Sequence, residues 1–359
     1  MKLLQYIAFF CWSVFSVFVV LGIVAQVYKT KKSRERAKNV ECVIVSVANH
    51  KVEKALFECI EQTKKLNIPL RILVDEGSEL IPKLSGLSLV IVPSSYRKDL
   101  VGKGRAINYF IETEVQEDKW YAFIDDDNLI LDDSFLYEIP YYESKGYVAM
   151  NPILIPREGK SKLVYVMDSI RYFDDLTSFR FFTGLLKRPL IGFHGELLAV
   201  KGKVLKEIGF NRRSLAEDFY FASELVRRGY KTWQSTTKVS IKSPNSIGDF
   251  LRQRGRWFKG IAEDLKDSPA LMKAIVGLRL IVWILGIFGS WAMSLLWLLW
   301  DPFYLAIPGG IYYWITYLYG VINSRKFYYF FLIPIFGILE SVSFLFGIKQ
   351  KNFVVIDKS

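Results

Sequence analysis

The stretch Trp120-Tyr-Ala-Phe-Ile-Asp-Asp-Asp-Asn128 joins an apolar run of strand-forming residues to three consecutive carboxylates. Alternate residues of a strand point to opposite faces, so Asp125 and Asp127 are expected on one face and Asp126 on the other. Two carboxylates at the tip of a buried strand repel each other unless a cation lies between them. Such oxygen ligands suit Mg²⁺ or Mn²⁺, which complete their coordination with water and substrate phosphates. The stretch therefore indicates a metal–diphosphate site; the alternative is an acidic loop that simply follows a strand.

Length and composition limit the class of protein. The chain has 359 residues, enough for about two domains, and its hydrophobic fraction of 51% indicates membrane segments. Three cysteines without a pairing pattern and only two histidines argue against a disulfide scaffold, a zinc site or a multi-histidine metal site. The formal net charge of +12 could indicate nucleic acid, but the basic residues form no nucleic-acid-binding motif. An anionic membrane surface and an anionic nucleotide substrate explain the charge more simply.

The chain opens with Leu3–Tyr28, an uncharged apolar run long enough to span a bilayer about 30 Å thick. A signal peptide is the alternative, but it needs a shorter apolar core and a cleavage site of small residues, whereas bulky Gln26-Val27-Tyr28 ends this run. Basic residues crowd the linker at 29–39, and only Lys2 precedes the run. The positive-inside rule therefore predicts a transmembrane helix within residues 1–28 and a cytosolic domain after it.

About three more transmembrane helices are predicted within residues 280–348, which makes the protein multi-pass. The apolar runs are 280–300, 302–322 and 327–348. The basic link between the last two is expected in the cytosol, so the last helix would leave the tail at 349–359 outside. The lysines of that tail favour the cytosol instead, so either the last run is re-entrant or the positive-inside rule fails there. Glu340 lies inside this run and is either functional or paired with a neighbouring helix.

Strand-like and helix-like runs alternate in one domain over residues 40–248. Strands are predicted at 40–47, 69–75, 87–93 and 120–124, and helices at 52–66 and 104–114. This alternation predicts a mainly parallel sheet whose ligand binds at the carboxyl ends of the strands. Asp75 and Asp125 each end a strand at that edge, which favours a nucleotide site.

Two glycine-containing loops supply further candidates. Gly102-Lys103-Gly104-Arg105 begins a helix, where backbone N–H groups and cations can meet phosphate, although the stretch also fits a plain basic loop. His194 and Gly195 lie in a loop that leads into a strand, and the small residues beside the imidazole permit close approach of a ligand. His194 is interpreted either as a substrate contact or as a structural histidine.

Two helical stretches complete the set of candidates. Ser214 and Glu217 have the spacing of a capping box, which leaves Asp218 in the first helical turn, well placed as a general base. Residues 249–279 are predicted to form amphipathic helices at the membrane interface, and they contain Gln253-Arg-Gly-Arg-Trp257. The alternating arginines of this stretch fit either a membrane-surface helix or bidentate binding of a diphosphate.

Taken in order, these motifs resemble those of the membrane-integrated family 2 glycosyltransferases, which have a GT-A catalytic domain. That superfamily includes cellulose and hyaluronan synthases, ceramide glucosyltransferases and egghead-type β-mannosyltransferases. The motifs are Val-Asp-Glu-Gly-Ser78, Gly-Lys-Gly104, Asp-Asp-Asp127, Ala-Glu-Asp218 and Gln253-x-x-Arg-Trp257. Two positions depart from the motifs of that superfamily. Ala216 stands where many members have threonine, and the first strand ends in Ala-Asn49 and not in a Pro-x-x-Asn sequence. The resemblance implies an α/β GT-A domain with a Rossmann-like mixed sheet, joined to transmembrane α-helices.

The resemblance also implies a role for each candidate residue. Asp75 would bind the nucleotide base, Asp125 the ribose or the metal, and Asp127 the metal, Mg²⁺ or Mn²⁺. Asp218, with Glu217 beside it, would be the catalytic base. The remaining candidates are Lys103 and Arg105 near the nucleotide, Gln253, Arg256 and Trp257 at the diphosphate and the acceptor entrance, and His194 and Gly195 at the acceptor.

These roles describe an inverting, metal-dependent transferase. The donor is expected to be a UDP- or GDP-sugar such as UDP-glucose or GDP-mannose, and the acceptor a lipid or glycolipid delivered from the membrane. A single displacement on an α-linked donor gives a β-linked product. One alternative is a processive polysaccharide synthase that extrudes its chain, and another is a membrane scaffold with an inactive transferase domain. No nucleic-acid partner is expected.

Overall fold

An eight-stranded sheet forms the centre of the catalytic domain in this computed structural model, which describes residues 2–296 and 307–349. The strands are β1 Val40–Ser46, β2 Leu70–Asp75, β3 Leu89–Val92, β4 Trp120–Asp125, β5 Asn128–Ile130, β6 Tyr147–Arg157, β7 Leu197–Lys201 and β8 Lys231–Lys242. Their order across the sheet is β3-β2-β1-β4-β7-β6-β8-β5.

Half of the sheet has the predicted parallel arrangement. β3, β2, β1 and β4 run parallel, so the carboxyl ends of β1, β2 and β4 share one edge. β7 then pairs antiparallel with both β4 and β6, and β5 pairs antiparallel with β8. β6 and β8 pair parallel. The sheet is therefore mixed, as the resemblance implied, and the expected parallel pairing is continuous only in the half that carries the acidic turns.

The helices lie on both faces of the sheet and along one side of it. They are α1 Lys2–Ala25, α2 Glu53–Lys64, α3 Gly102–Thr113, α4 Ser134–Glu143, α5 Lys162–Asp168, α6 Ile170–Asp174, α7 Gly202–Ile208, α8 Glu217–Arg227, α9 Ile247–Leu265, α10 Ala270–Leu296, α11 Ile307–Ser324 and α12 Ile333–Lys349. A π-helix at Asp175–Leu185 follows α6, and short 3₁₀ helices lie at Ile81–Leu84 and Phe327–Leu332.

The core follows from the alternation of side chains along β4. Trp120, Ala122 and Ile124 join the hydrophobic cluster on one face of the sheet, and Tyr121 and Phe123 join the cluster on the other face. All five side chains are buried, and each large apolar one contributes roughly 1.5–3 kcal/mol relative to an exposed one. This two-sided burial explains why an apolar run precedes the acidic turn.

Three helical segments in the described part of the chain are long and apolar enough to cross a membrane, namely Lys2–Ala25, Ala270–Gly289 and Phe327–Ile348. The first and last match predicted spans, and α10 begins at Ala270, earlier than the predicted boundary at 280. α11 covers much of the predicted run at 302–322. It contains four tyrosines and is not one of the three segments that are long and apolar enough to cross a membrane. Residues 297–306 and the predicted tail from 350 lie outside the described residues.

The apolar helices pack together beside the catalytic domain. α1 packs against α10, α11 and the π-helix, and α12 packs against α9 and α10. α9 and α12 approach so closely that a Cβ on Gly255 would lie 2.6 Å from the backbone nitrogen of Gly347. α9 therefore lies between the membrane-type helices and the catalytic domain.

Candidate active site

The acidic turn after β4 lies at the edge where β1 and β2 also end. Asp125 Oδ1 accepts a hydrogen bond from Lys103 Nζ at 2.9 Å, whereas Asp126 Oδ2 accepts one from Ser46 Oγ at 2.5 Å. The two neighbouring carboxylates therefore contact different partners, although Asp126 and Asp127 lie in the turn after β4 and not in the strand that the alternation argument assumed. Asp127 follows in the turn before β5, and its backbone carbonyl accepts a hydrogen bond from Arg157 at 2.8 Å.

Lys103 is the cation that brings the central carboxylates together. It lies in the first turn of α3, and its Nζ also donates to the Gly195 carbonyl at 2.9 Å and lies 3.4 Å from Glu217 Oε1. Burial by itself would lower the pKa of Lys103, but the charges of Asp125, Glu217 and Asp218 outweigh it and raise the pKa above its ordinary value. Lys103 is therefore protonated throughout the physiological pH range.

Asp218 lies in the first turn of α8, directly beside this cluster. Its Oδ2 accepts the Gly195 N–H at 3.0 Å, and its Oδ1 accepts the Phe219 N–H at 2.8 Å. Burial, and next the charge of Glu217, raise the pKa of Asp218 to about 6, although Lys103 opposes the shift. A carboxylate with a pKa just below neutrality can accept a proton at working pH and hold it, as a general base requires.

The predicted capping box at this helix is wrong. α8 begins at Glu217 with Ala216 at the N-cap, and no side chain caps the helix. The Ser214 hydroxyl instead donates to Asp264 of α9 and accepts the Ala216 N–H at 2.9 Å. Glu217 is buried and turns toward Lys103, so its place in the site comes from the ion pair and not from capping.

The raised pKa of Asp218 predicts the acid limb of the pH profile. Because the base must be ionised to accept a proton, kcat/KM should fall about tenfold per pH unit below about pH 6 and level off above it. The measurement is kcat/KM for sugar transfer between pH 5 and 8. The residual activity of Asp218→Asn should lack this inflection, and an unchanged inflection in that variant would assign it to another group.

Gly195 is the one position where the loop before β7 touches both Lys103 and Asp218. A Cβ there would lie 2.5 Å from Lys103 Nζ and 3.1 Å from Asp218 Oδ2. Gly195→Ala should therefore displace both groups and lower kcat by about 10–100-fold. Gly248→Ala is the matched control, since the nearest atom to a Cβ there is 3.8 Å away. Equal activity in the two variants would contradict this geometry.

His194, in the same loop, is held by three contacts. Its Nε2 lies 2.6 Å from Asp175 Oδ1, its backbone N–H donates to Asn151 at 2.8 Å, and its ring centroid lies 4.2 Å from that of Phe179. Burial would lower the pKa of His194, but Asp175 outweighs it and raises the pKa. These are the contacts of a positioned histidine, and its contact with an acceptor remains a prediction.

The second acidic turn carries Asp75, which is paired with Arg105. Arg105 Nη1 donates to Asp75 Oδ1 at 2.7 Å, and Arg105 Nε donates to the Tyr96 carbonyl at 2.8 Å. The Asp75 side chain is half-exposed, so it remains accessible to a ligand at the sheet edge. Arg105 therefore anchors the loop between β3 and α3 and orients Asp75.

The arginines of α9 do not converge on one ligand. In a helix, residues four apart share a face and the residue midway between them lies opposite, so Arg254 diverges from Arg252 and Arg256. Arg252 donates to Asp249 at 2.6 Å, and Arg256 donates to the Leu215 carbonyl at 3.4 Å, just before Asp218 in sequence. Arg254 is buried. Of the three, only Arg256 contacts the segment that leads into α8, and its binding of a diphosphate remains a prediction.

Gln253 and Trp257 occupy the inner side of α9. Gln253 is buried and its Oε1 accepts a hydrogen bond from Arg254 Nη1 at 3.2 Å. The Trp257 ring lies under two guanidinium groups, those of Arg171 and Arg254, at 4.8 and 4.4 Å from its centroid. Trp257 therefore contacts the catalytic domain through Arg171, and the roles of Gln253 and Trp257 toward the diphosphate and the acceptor remain predictions.

The donor set at the acidic turn fits a divalent cation that also binds phosphate. Among the residues that the structure describes, no group of three or more His, Cys, Asp or Glu side chains could hold a metal by itself. Asp125 and Asp127 offer the pair of hard oxygen donors that Mg²⁺ or Mn²⁺ accepts when phosphates and water supply the remaining ligands. Burial raises the pKa of Asp125, and the charge of Lys103 opposes that rise. The Asp125 carboxylate therefore lies beside a fixed positive charge.

Two residues of this site were not found from sequence. Glu196 follows Gly195, and Arg171 of α6 forms an ion pair with it. Burial alone would raise the pKa of Glu196, but the charges of Arg171 and His194 outweigh it and hold the pKa below its usual range. The position of Glu196 directly after the candidates His194 and Gly195 was the available signal, whereas nothing around Arg171 forms a pattern.

Comparison with known proteins agrees with this arrangement. The family model described as Glycosyl transferase family group 2 matches residues 120–341, which is more than half of the chain. Beta-1,4-mannosyltransferase bre-3 of Caenorhabditis briggsae is 26% identical over 244 residues, which are 65% of this chain and 50% of that protein. Beta-1,4-mannosyltransferase egh of Drosophila melanogaster is 26% identical over 302 residues, 75% of this chain and 66% of that protein. The chain spans about half the length of the bre-3 relatives that it matches.

A solved structure shares the fold. Mannosyltransferase PcManGT from Pyrobaculum calidifontis, in complex with GDP-Man and Mn²⁺, superposes with a TM-score of 0.57 at 14% sequence identity. The match covers 95% of this chain and 99% of that one, which supports the GT-A fold. The family match, the fold and the order of the acidic motifs agree, and the chain belongs to glycosyl transferase family group 2.

Proposed function

We propose that this protein is an inverting, metal-dependent membrane glycosyltransferase. It transfers a sugar from a cytosolic nucleotide-sugar to a hydroxyl of a lipid-linked acceptor and forms a β-glycosidic bond. The observation that carries the proposal is the convergence of Asp125, Lys103, Glu217 and Asp218 at the carboxyl edge of the sheet. Family membership and the names of the mannosyltransferase relatives support the same class of reaction.

Asp218 acts as the base. It takes the proton of the acceptor hydroxyl while the acceptor oxygen forms a bond to the anomeric carbon. The bond between that carbon and the diphosphate oxygen breaks, and the nucleoside diphosphate leaves on the opposite face. This single displacement inverts the anomeric centre, so an α-linked donor gives a β-linked product. The Gly195 and Phe219 N–H groups hold the carboxylate in one orientation.

The leaving group is a diphosphate, and its developing negative charge needs compensation. Asp127 and Asp125 would hold a Mg²⁺ or Mn²⁺ ion, which when bound supplies positive charge to the departing diphosphate. The single positive charge of Lys103 is shared between Asp125 and Glu217, so the cluster keeps an excess of negative charge that a divalent cation would offset. Arg256, close to the Leu215 carbonyl, is the further cation that we assign to the diphosphate.

Donor and acceptor approach from different sides. Asp75, oriented by Arg105, binds the base of the nucleotide at the exposed sheet edge. A GDP-sugar is favoured, because PcManGT was solved with GDP-Man and the curated relatives are named mannosyltransferases. The acceptor reaches Trp257, His194 and Gly195 from the α9 side, next to the apolar helices, which favours a lipid-linked hydroxyl.

The test is product analysis with the full-length protein in detergent. GDP-mannose or a UDP-sugar, Mn²⁺ and a glycolipid bearing a free hydroxyl are incubated together, and the product is examined by mass spectrometry and proton NMR. One added sugar with a β-anomeric proton supports the proposal. A ladder of longer chains would favour the processive synthase, and an α-anomeric product would contradict the single displacement.

A further inference from the structure

Arg254 is a buried cation shared by three helices. It is 3% exposed, and its Nη2 donates to Asp168 of α5 at 2.6 Å while its Nε donates to Glu340 of α12 at 3.4 Å. The second oxygen of Asp168 accepts a hydrogen bond from Ser243 at 3.0 Å. A buried charge left without its partner is costly, so these two carboxylates fix where α9 lies relative to α5 and α12.

The same guanidinium fixes an aromatic ring of α9. Arg254 lies 4.5 Å from the ring centroid of Phe250 and 4.4 Å from that of Trp257, within the range of cation–π attraction. Arg171 of α6 lies 4.8 Å from the same Trp257 ring. The indole is therefore in contact with one guanidinium held by Glu340 and with a second guanidinium from the catalytic domain.

Arg171 continues the chain of contacts to the catalytic base. It forms an ion pair with Glu196, and both side chains are largely buried. Glu196 follows Gly195, whose N–H is donated to Asp218 and whose carbonyl accepts Lys103. A displacement of Trp257 would therefore loosen Arg171 and Glu196, and with them the loop that orients the base.

We propose that Glu340 and Arg254 are positioning residues for transfer: through Trp257, Arg171 and Glu196 they hold the Gly195 loop against Asp218. Glu340 lies inside the apolar segment Phe327–Ile348, so the position of α12 sets the alignment of a base in the catalytic domain. This inference rests on the proposed role of Asp218. It also resolves the two interpretations of Glu340, because its pairing with a neighbouring helix is the means by which it acts.

The test compares Glu340→Gln with wild type and with Glu340→Asp, all as full-length protein in detergent. In Glu340→Gln the loss of charge should lower kcat by about 10–100-fold, since small misplacements of a catalytic group have effects of that size. The KM for the nucleotide-sugar should change less than kcat, because Asp75 and Arg105, which bind the nucleotide, lie outside this chain of contacts. Glu340→Asp should restore much of kcat. Glu263→Gln is the control for loss of a negative charge, because it removes the exposed partner of Lys259 on α9. This variant should keep the wild-type kcat.

Hydrogen–deuterium exchange supplies a readout that does not depend on turnover. In Glu340→Gln the peptide containing Gly195 should exchange faster, while a peptide from the β1–β2 region should not change. Wild-type kcat together with wild-type exchange in this variant would overturn the inference. A lower melting temperature with an unchanged exchange rate of the peptide containing Gly195 would overturn it as well. If wild type transfers no sugar, the proposed function fails, and the exchange comparison alone then decides whether Glu340 holds the loop.

Discussion

Asp218→Asn should lower kcat for sugar transfer by about 10²–10⁴-fold and leave nucleotide-sugar binding close to the wild-type value. The amide has nearly the same size as the carboxylate, but its single oxygen can accept only one of the Gly195 and Phe219 N–H groups, which donate to different oxygens of Asp218. What the variant lacks is a group that can take the acceptor proton. The measurement is kcat together with donor affinity by calorimetry.

Asp267→Asn is the matched control for this prediction. Asp267 is exposed and is paired with Arg212, away from the catalytic cluster, so the same chemical change there should leave kcat unaltered. Turnover of Asp218→Asn near the wild-type rate would mean that another group takes the proton. A loss of donor binding equal to the loss of kcat would mean that Asp218 serves binding and not proton transfer.

Asp127→Asn is expected to abolish the metal dependence of nucleotide binding. A neutral amide is a poorer ligand for Mg²⁺ or Mn²⁺ than a carboxylate, so Mn²⁺-dependent affinity for GDP or UDP should weaken by about 100-fold or more, and turnover should fall with it. The affinity without metal should not weaken, because the substitution also removes a negative charge that repels the diphosphate. Calorimetric titration of nucleotide with Mn²⁺ and then with EDTA measures both values.

The neighbouring acid provides a sharp control for the metal assignment. Asp126 lies in the turn after β4 and accepts a hydrogen bond from Ser46, whereas Asp125 accepts one from Lys103. Asp126→Asn should therefore keep the Mn²⁺-dependent gain in nucleotide affinity that Asp127→Asn loses. If the two variants exchanged these behaviours, the assignment of the metal to the Asp125 and Asp127 face would be wrong.

The sequence predicted the parts of the molecule that depend on local pattern. The apolar run before Asp125 predicted β4, the glycines around Lys103 predicted the start of α3, and the acids at 75 and 125 predicted that two strands end at the same edge of the sheet. Each of these signals lies within a few residues of the structure that it predicts. The alternation of strands and helices likewise predicted the parallel half of the sheet, because parallel neighbours need crossover helices.

The remaining features depend on partners far away in the chain. Ser214 looked like a helix cap, but its hydroxyl is taken by Asp264, fifty residues further on. Arg254 finds each of its carboxylates 86 residues away, so no local pattern could separate it from the arginines beside it. β5 has only three residues, too few to show a period, and its antiparallel partner β8 lies near the other end of the domain. Contacts of this kind are fixed by packing and not by spacing.

The most direct test of the central claim is nucleotide release by the full-length protein in detergent, across a panel of GDP- and UDP-sugars with a glycolipid acceptor. We expect one donor, with GDP-mannose favoured, to release its nucleoside diphosphate in the presence of Mn²⁺. This release should stop on addition of EDTA, and it should also stop in Asp218→Asn. Release that persists in EDTA or in Asp218→Asn would contradict the account, and so would the absence of release from every donor by a protein that still binds nucleotide.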